Sequence, residues 1–258
     1  MAKIEQRFEV PGYTEPDYTG RVLTSEDIAA GKHRKWIGGH WDDHGLRQLD
    51  FLINHGLRPA DKFLDVGCGS LRAGRHLVDY LESGNYYGID ANRSVIQAGY
   101  DHELTDDQRA KMPPANLHAT DRFGADFGVK FDVALAQSVF THISLNHIRL
   151  CLYRVAQVMR PGGKFYTTFN EQRASFPVDG VVATKRAKYT ERNVYWYYRG
   201  DIRWAADFSP WKYTYVGTWG HPGGQRMIEF IRLSDKAARD AKPWGSKLRP
   251  VIGRIIRT

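Results

Sequence analysis

Asp65, Asp90, Asp121, His142 and Glu171 each lie in or just past a short apolar run, and these are the side chains able to do chemistry. A carboxylate at a strand end can accept hydrogen bonds from neighbouring hydroxyls. A histidine near its ordinary pKa can take a hydroxyl proton at neutral pH. The first two acids flank Gly67-Cys68-Gly69-Ser70. Glycines at 67 and 69 let the backbone turn sharply and admit a ligand with no Cβ in the way. The amides at the start of the following helix are expected to face that ligand. A dinucleotide-binding Gly-x-Gly-x-x-Gly needs glycine at 72, where the chain has Arg72, and the pattern resumes only at Gly74; a bound pyrophosphate is disfavoured. Asp90 stands about where an α/β nucleotide fold places its ribose-binding acid, so the ligand these residues suit is a nucleoside.

The elements that must position them follow from periodicity. Phe63 to Val66, Tyr86 to Asp90, Asn116 to Thr120, Phe131 to Gln137 and Lys164 to Asn170 read as strands, each carrying one of the polar groups near its C-terminal end. Helices are expected from Leu71 to Leu81, Ser94 to Tyr100, Thr105 to Lys111, and from Ser144 through Ile148, Leu152, Val155 and Met159. Asp42 or Asp43 can cap an earlier helix whose apolar stripe is Leu46, Leu49, Leu52 and Ile53, stopped by Gly56. Arg160-Pro161-Gly162-Gly163 reads as the turn into the fifth strand, and Tyr213 to Gly217 with Met227 to Arg232 as a closing antiparallel hairpin.

Leu64-Asp65-Val66-Gly67-Cys68-Gly69, Gly88-Ile89-Asp90, Phe131 to Ser138 and Arg160 to Phe165 occur in the order found in the class I S-adenosylmethionine-dependent methyltransferases, which residues 34 to 233 resemble. The resemblance implies a Rossmann-like α/β fold with a seven-stranded methyltransferase sheet and an antiparallel final hairpin. It also implies S-adenosyl-L-methionine as cofactor. Asp65, Gly67, Cys68 and Gly69 would hold the methionine part, Asp90 and Ala91 the ribose, and Asp121 and Arg122 the adenine, with Gln137 and Ser138 completing the cofactor site. Methyltransferases acting on DNA base amines or protein glutamine carry an Asn/Asp/Ser-Pro-Pro-aromatic signature after the fourth strand. Here Ser138-Val139-Phe140 stands there, so no nucleic-acid substrate is expected.

His142 is the expected catalytic base for a hydroxyl acceptor, with capping or packing of the next helix as the structural alternative. Glu171 is expected either to orient His142 or to bind a substrate hydroxyl; a solvated glutamate is the other reading. Aromatic residues crowd 189–219, including Tyr195-Trp196-Tyr197-Tyr198, and flat rings with polar tips suit sugars as well as aromatic acceptors. Trp41, Tyr195, Tyr198 and His221 are the expected substrate-binding residues. Ile37 to Trp41, Gly69 to Arg72 and His221 to Gln225 look like methyltransferases encoded with polysaccharide and glycolipid assembly enzymes, among them those acting on methylmannose oligosaccharides. The expected reaction is therefore methylation of a sugar or oligosaccharide hydroxyl. An aromatic or lipid-linked small-molecule acceptor is the alternative, and a non-catalytic cofactor-binding scaffold a third. No His, Cys, Asp and Glu grouping has metal-ligand spacing.

At 258 residues and 42% hydrophobic content, the chain suits one α/β domain. The expected layout is an arm or lid at 1–33, a domain at 34–235 with an acceptor region at 171–225, and a tail at 236–258. That tail holds seven Lys or Arg against one Asp, a net +6 of the chain's +8, so the fold itself is close to neutral. Its interleaved Leu248, Val251, Ile252, Ile255 and Ile256 suit an anionic membrane surface or a protein partner. Lys3, Glu5, Arg7 and Glu9 interrupt any signal-peptide pattern, and two isolated cysteines, Cys68 and Cys151, fit a reducing compartment; a cytoplasmic protein is expected.

Overall fold

The computed structural model describes residues 18–173 and 194–240. The expected tail beyond 240, residues 1–17 of the arm and 174–193 of the acceptor region lie outside the described residues.

Seven strands form one sheet: β1 (Phe63–Val66), β2 (Tyr86–Asp90), β3 (Leu117–Ala119), β4 (Phe131–Ala136), β5 (Met159–Phe169), β6 (Trp211–Thr218) and β7 (Arg226–Arg232). Their order is β3-β2-β1-β4-β5-β7-β6, parallel up to β5 and antiparallel in the β5-β7-β6 part. Every residue of β1 is buried, as a central parallel strand covered on both faces requires. The chain leaves β1 for β2 on one side and later returns to pair β4 on the other, so the C-terminal ends of β1 and β4 flank the switch point at which open α/β sheets bind ligands.

Nine α-helices are described: α1 (Ser25–Ala29), α2 (Lys32–Trp36), α3 (Trp41–Asn54), α4 (Gly74–Tyr80), α5 (Arg93–Glu103), α6 (Asp106–Lys111), α7 (Leu145–Val158), α8 (Arg199–Ala206) and α9 (Asp235–Asp240). Capping explains several starts. Thr105 and Gln108 form a reciprocal box at α6, Asn92 accepts from the Val95 amide at α5, and Ser144 accepts from the His147 amide at α7. One face of the sheet packs Phe131, Phe165 and Phe230 against Ile148, Leu152, Val155 and Ile202 of α7 and α8. The other packs Phe63, Tyr86 and Tyr166 against Phe51, Leu52, Leu77 and Val78 of α3 and α4. Each such fully buried side chain contributes about 1.5–3 kcal/mol of transfer free energy.

Three expectations are corrected. The Arg160 to Gly163 segment is part of β5: α7 stops at Val158, and the β4–β5 register shifts between Phe131 and Val133 to absorb the extra residues. Helix α3 is entered through His40 in the left-handed region (φ 47°), with Asp42 and Asp43 in its first turn, where they favour the helix dipole without capping it. Its buried face keeps only half of the leucine stripe: Leu52 is buried and Leu49 half-buried. Leu46 is 46% and Ile53 37% exposed, whereas Trp41, His44, Gln48 and Phe51 turn inward.

The arm is packed onto the domain, and the boundary expected between 33 and 34 falls inside α2. The Leu23 amide donates to Ser94 Oγ (2.9 Å), and Asn92 Nδ2 donates to the Arg21 carbonyl (2.9 Å). His33 and Arg34 both close on the buried Glu103 carboxylate. Ser70 Oγ donates to the His33 carbonyl, and Arg72 Nη1 donates to the carbonyls of Ile37 and Gly39. The arm thus runs from α5 to the glycine turn.

Candidate functional site

Gly67 and Gly69 have φ of +76° and +55°. A Cβ on Gly67 would lie 2.4 Å from Val139 Cγ2, and one on Gly69 2.8 Å from Ile37 Cγ2. Both positions therefore require glycine twice over, for backbone conformation and for the side chains that come down on the turn. The amides behave differently from the expectation. Gly67 and Cys68 both donate to the Ile89 carbonyl (2.7 and 3.0 Å), and Gly69 donates to Asp90 Oδ2 (2.9 Å). Helix α4 starts only at Gly74. The turn supplies room and positions Asp90, but its amides are spent inside the protein.

Asp90 ends β2 with Oδ2 on the Gly69 amide and Oδ1 on the Asn92 amide (2.9 Å each). Ala91 follows in the bend that leads from β2 to α5. Burial raises the Asp90 pKa while these backbone donors lower it. Each carboxylate oxygen keeps a second lone-pair direction for a hydroxyl. Asp65 lies deeper, 4% exposed, and accepts from Tyr86 Oη at 2.9 Å. Burial pushes it up to about 7, against the pull of the Tyr86 hydroxyl. The Cys68 thiol is buried and its pKa is raised well above the usual value, so Cys68 is a packing residue. Asp121 and Arg122 follow β3 in an exposed bend in which the Arg122 amide donates to Thr120 Oγ1 (3.2 Å).

Beyond β4, Ser138 sits at φ +61°. Its amide donates to Thr168 Oγ1 (2.7 Å), its hydroxyl reaches Gln225 Oε1 (3.1 Å), and Thr168 Oγ1 donates to the same oxygen (2.7 Å). Gln137 Nε2 donates to Ser138 Oγ (3.0 Å). These contacts tie the ends of β4 and β5 to the β6–β7 connection. In the same loop the His142 amide donates to the Val139 carbonyl, and His142 Nδ1 lies 2.9 Å from Tyr18 Oη of the arm.

The remaining expected residues divide. Glu171 does not meet His142: its Oε1 accepts from Arg199 (2.8 and 3.0 Å) and its Oε2 from Tyr215 Oη (2.6 Å), with Arg226 at 3.5 Å. An orienting role toward the histidine is replaced by an ion-paired one at the hairpin. Trp41 is buried with the guanidiniums of Arg34 and Arg75 over its ring at 5.1 and 5.3 Å, so it offers no face to a substrate. Tyr195 does reach the His142 loop, its amide donating to the Thr141 carbonyl (2.8 Å) and its ring stacking on Tyr197. Tyr198 precedes α8, its amide on Asp201 Oδ2 (2.9 Å). Tyr197 and Trp211 are core, their polar tips donating to the carbonyls of Ile143 and Leu152.

His221 is joined by residues that sequence reasoning missed. Its ring lies 4.8 Å from that of His44 and 5.6 Å from that of Trp219. Burial first, then the nearby Arg72, lowers His44 to about 3 and His221 to about 4, so both imidazoles are neutral at pH 7. The signal was available: His44 and Gln48 stand one helical turn apart, in phase with Phe51.

Comparison with known proteins agrees with this architecture. A family model described as a methyltransferase domain matches residues 64–165. Among solved structures, an S-adenosylmethionine-dependent methyltransferase from Clostridium acetobutylicum is 16% identical, with 82% of this chain and all of that chain covered at a TM-score of 0.56. An amino pentose methyltransferase of calicheamicin biosynthesis from Micromonospora echinaspora is also 16% identical, covering 82% and 98% at 0.55. Magnesium protoporphyrin IX methyltransferase from Synechocystis is 17% identical, covering 80% and 86% at 0.52. At these identities the likeness is one of fold, and the fold is that of the class I methyltransferases.

Proposed function

We propose that this chain transfers a methyl group from S-adenosylmethionine to a hydroxyl of a sugar or oligosaccharide, with His142 as general base. The observation that carries it is the placement of His142 and Asp90 at the same edge of the sheet, one past β4 and the other ending β2, on either side of the glycine turn. The Micromonospora and Synechocystis structures contain bound S-adenosylmethionine and S-adenosylhomocysteine respectively, on this same fold.

The residues present fit such a cofactor. Asp90 is held by backbone amides with acceptor capacity to spare for ribose hydroxyls, and the glycines at 67 and 69 keep the turn free of Cβ atoms. When bound, S-adenosylmethionine supplies a methyl group on a cationic sulfur that departs as a neutral thioether. Alignment and a proton acceptor are what remains for the protein to provide. His142 takes the acceptor's hydroxyl proton as the oxygen–methyl bond forms. In the tautomer whose Nδ1–H donates to Tyr18 Oη, Nε2 is the basic nitrogen. The Ser138, Thr168 and Gln225 contacts hold the loop on which His142 rides.

Calorimetric titration with S-adenosylhomocysteine, on wild type and on Asp90→Ala, tests the cofactor half: binding is expected in the first and loss in the second. For the acceptor half, His142→Ala should keep S-adenosylhomocysteine binding and lose about 100-fold or more in transfer to glycosides. Transfer to phenols but not to glycosides would move the acceptor to the aromatic class.

A further inference from the structure

We propose that the surface shared by α3 and the 219–225 connection is an acceptor subsite for a neutral, hydroxyl-rich ligand, with His44, Gln48, Gln137 and His221 hydrogen-bonding its hydroxyls and Trp219 covering one face. It rests on the methyl-transfer reading above and names the part of the protein that selects the acceptor.

Buried polar atoms without partners lead to it. His44 Nδ1, Gln48 Nε2, Gln137 Oε1 and Trp219 Nε1 are all shielded from solvent and have no hydrogen-bond partner. Each such atom costs about 1–3 kcal/mol when left unsatisfied. Among the described residues other buried polar atoms also lack partners, but these four converge on one place, where another molecule can supply them. They belong together in space. The His44 ring is 5.7 Å from Trp219, and so is the ring of Phe51. Gln48 lies between His44 and Phe51 on the same helix face. From the opposite side, Gln137 Nε2 is 3.4 Å from Gln225 Oε1, and the Gln225 amide is 3.4 Å from His221 Nδ1.

The chemistry of these groups selects the ligand. His221 Nδ1 accepts from the amides of Gly223 (2.9 Å) and Gln225, which puts the ring proton on Nε2 and makes that edge a donor. Neutral imidazoles and carboxamides offer donors and acceptors in alternation, as the hydroxyls of a sugar do. Two cations stand beside these rings: Arg72, whose Nη1 donates to two backbone carbonyls while its buried Nε has no partner, and Arg47, solvent-exposed next to Gly220. An indole with one polar edge suits the apolar face of a pyranose. The subsite also adjoins the reaction centre, because the chain runs from Gln137 through Ser138 to Val139, which packs on Gly67.

The test is saturation-transfer NMR on the full chain saturated with S-adenosylhomocysteine, using methyl mannoside, the matching methyl uronide, and a phenol as probes. Wild type should bind the neutral glycoside best. Gln48→Leu and His44→Phe should weaken it about tenfold or more, with S-adenosylhomocysteine affinity unchanged and melting temperature equal or higher, since an unpaired buried polar group is replaced by an apolar one. Glycoside binding unchanged in both variants, preference for the uronide or the phenol, or no glycoside binding by cofactor-loaded protein would each overturn the subsite. Failure of wild type to bind S-adenosylhomocysteine would instead remove the methyl-transfer reading itself, and the subsite with it. A lowered melting temperature with retained glycoside binding would show that these residues serve packing.

Discussion

Tyr18 Oη lies 2.9 Å from His142 Nδ1, with the two rings 5.0 Å apart and tilted by 53°. A residue of the N-terminal arm therefore contacts the proposed base across 124 positions of sequence. The contact holds the ring in place, and the hydroxyl can serve either imidazole tautomer.

Tyr18→Phe should consequently slow methyl transfer about tenfold, the scale of one lost hydrogen bond to a catalytic group, and move the acidic limb of the pH–rate profile. S-adenosylhomocysteine affinity should stay within a few-fold of wild type. An unchanged pH profile and rate would separate the arm from catalysis.

Asp90→Asn is expected to weaken S-adenosylhomocysteine binding nearly as much as Asp90→Ala. Gly69 and Asn92 both present amide donors to this side chain. A carboxylate satisfies both, whereas a carboxamide turns an N–H₂ group toward one of them. Calorimetry on the two variants gives the comparison, and near-wild-type affinity in Asp90→Asn would mean that shape rather than acceptor capacity matters at 90.

Local signals were legible and long-range ones were not. The turn at Gly67 and Gly69, the end of β2 at Asp90 and the β4 run could be read because each conformation is set by its own stretch of sequence. Thr105 and Ser144 likewise cap helices a few residues away. Glu171 could not be read, because its partners Arg199 and Tyr215 are 28 and 44 positions distant. The inward face of α3 was hidden for a different reason. Of the four aliphatic residues in the expected stripe, Leu52 is buried and Leu49 half-buried, while Leu46 and Ile53 stay in solvent and His44 and Gln48 turn inward. Hydrophobic periodicity finds the apolar part of a buried face; it misses the polar residues that share it.

The glycine turn gives a graded prediction. Gly67→Ala places a methyl group 2.4 Å from Val139 Cγ2 at φ +76°, whereas Gly84→Ala at φ +79° meets nothing within 4 Å. Gly84→Ala should cost only the left-handed backbone strain of about 1–2 kcal/mol. Gly67→Ala should cost more, and Val139→Ala in the same chain should recover part of the excess. Urea unfolding measures all of these. Equal losses at 67 and 84 would show that the loop after β4 does not press on the turn.

Asp65 predicts a pH dependence of stability in the ligand-free protein. Burial raises its folded-state pKa from the ordinary 3.8 to about 7. The folded state thus keeps a proton that the unfolded state has released over that interval, and stability falls with rising pH between the two values. Below 3.8 the contribution is fully present, and above about 7 it is lost. The full excursion is on the order of 4 kcal/mol. Asp65→Asn removes the titration while leaving an oxygen to accept from Tyr86 Oη. The stability of Asp65→Asn relative to wild type should therefore climb from pH 4 to pH 7 and level off above it. A constant difference across that range, measured by urea unfolding in matched buffers, would falsify the buried, proton-holding state assigned to Asp65.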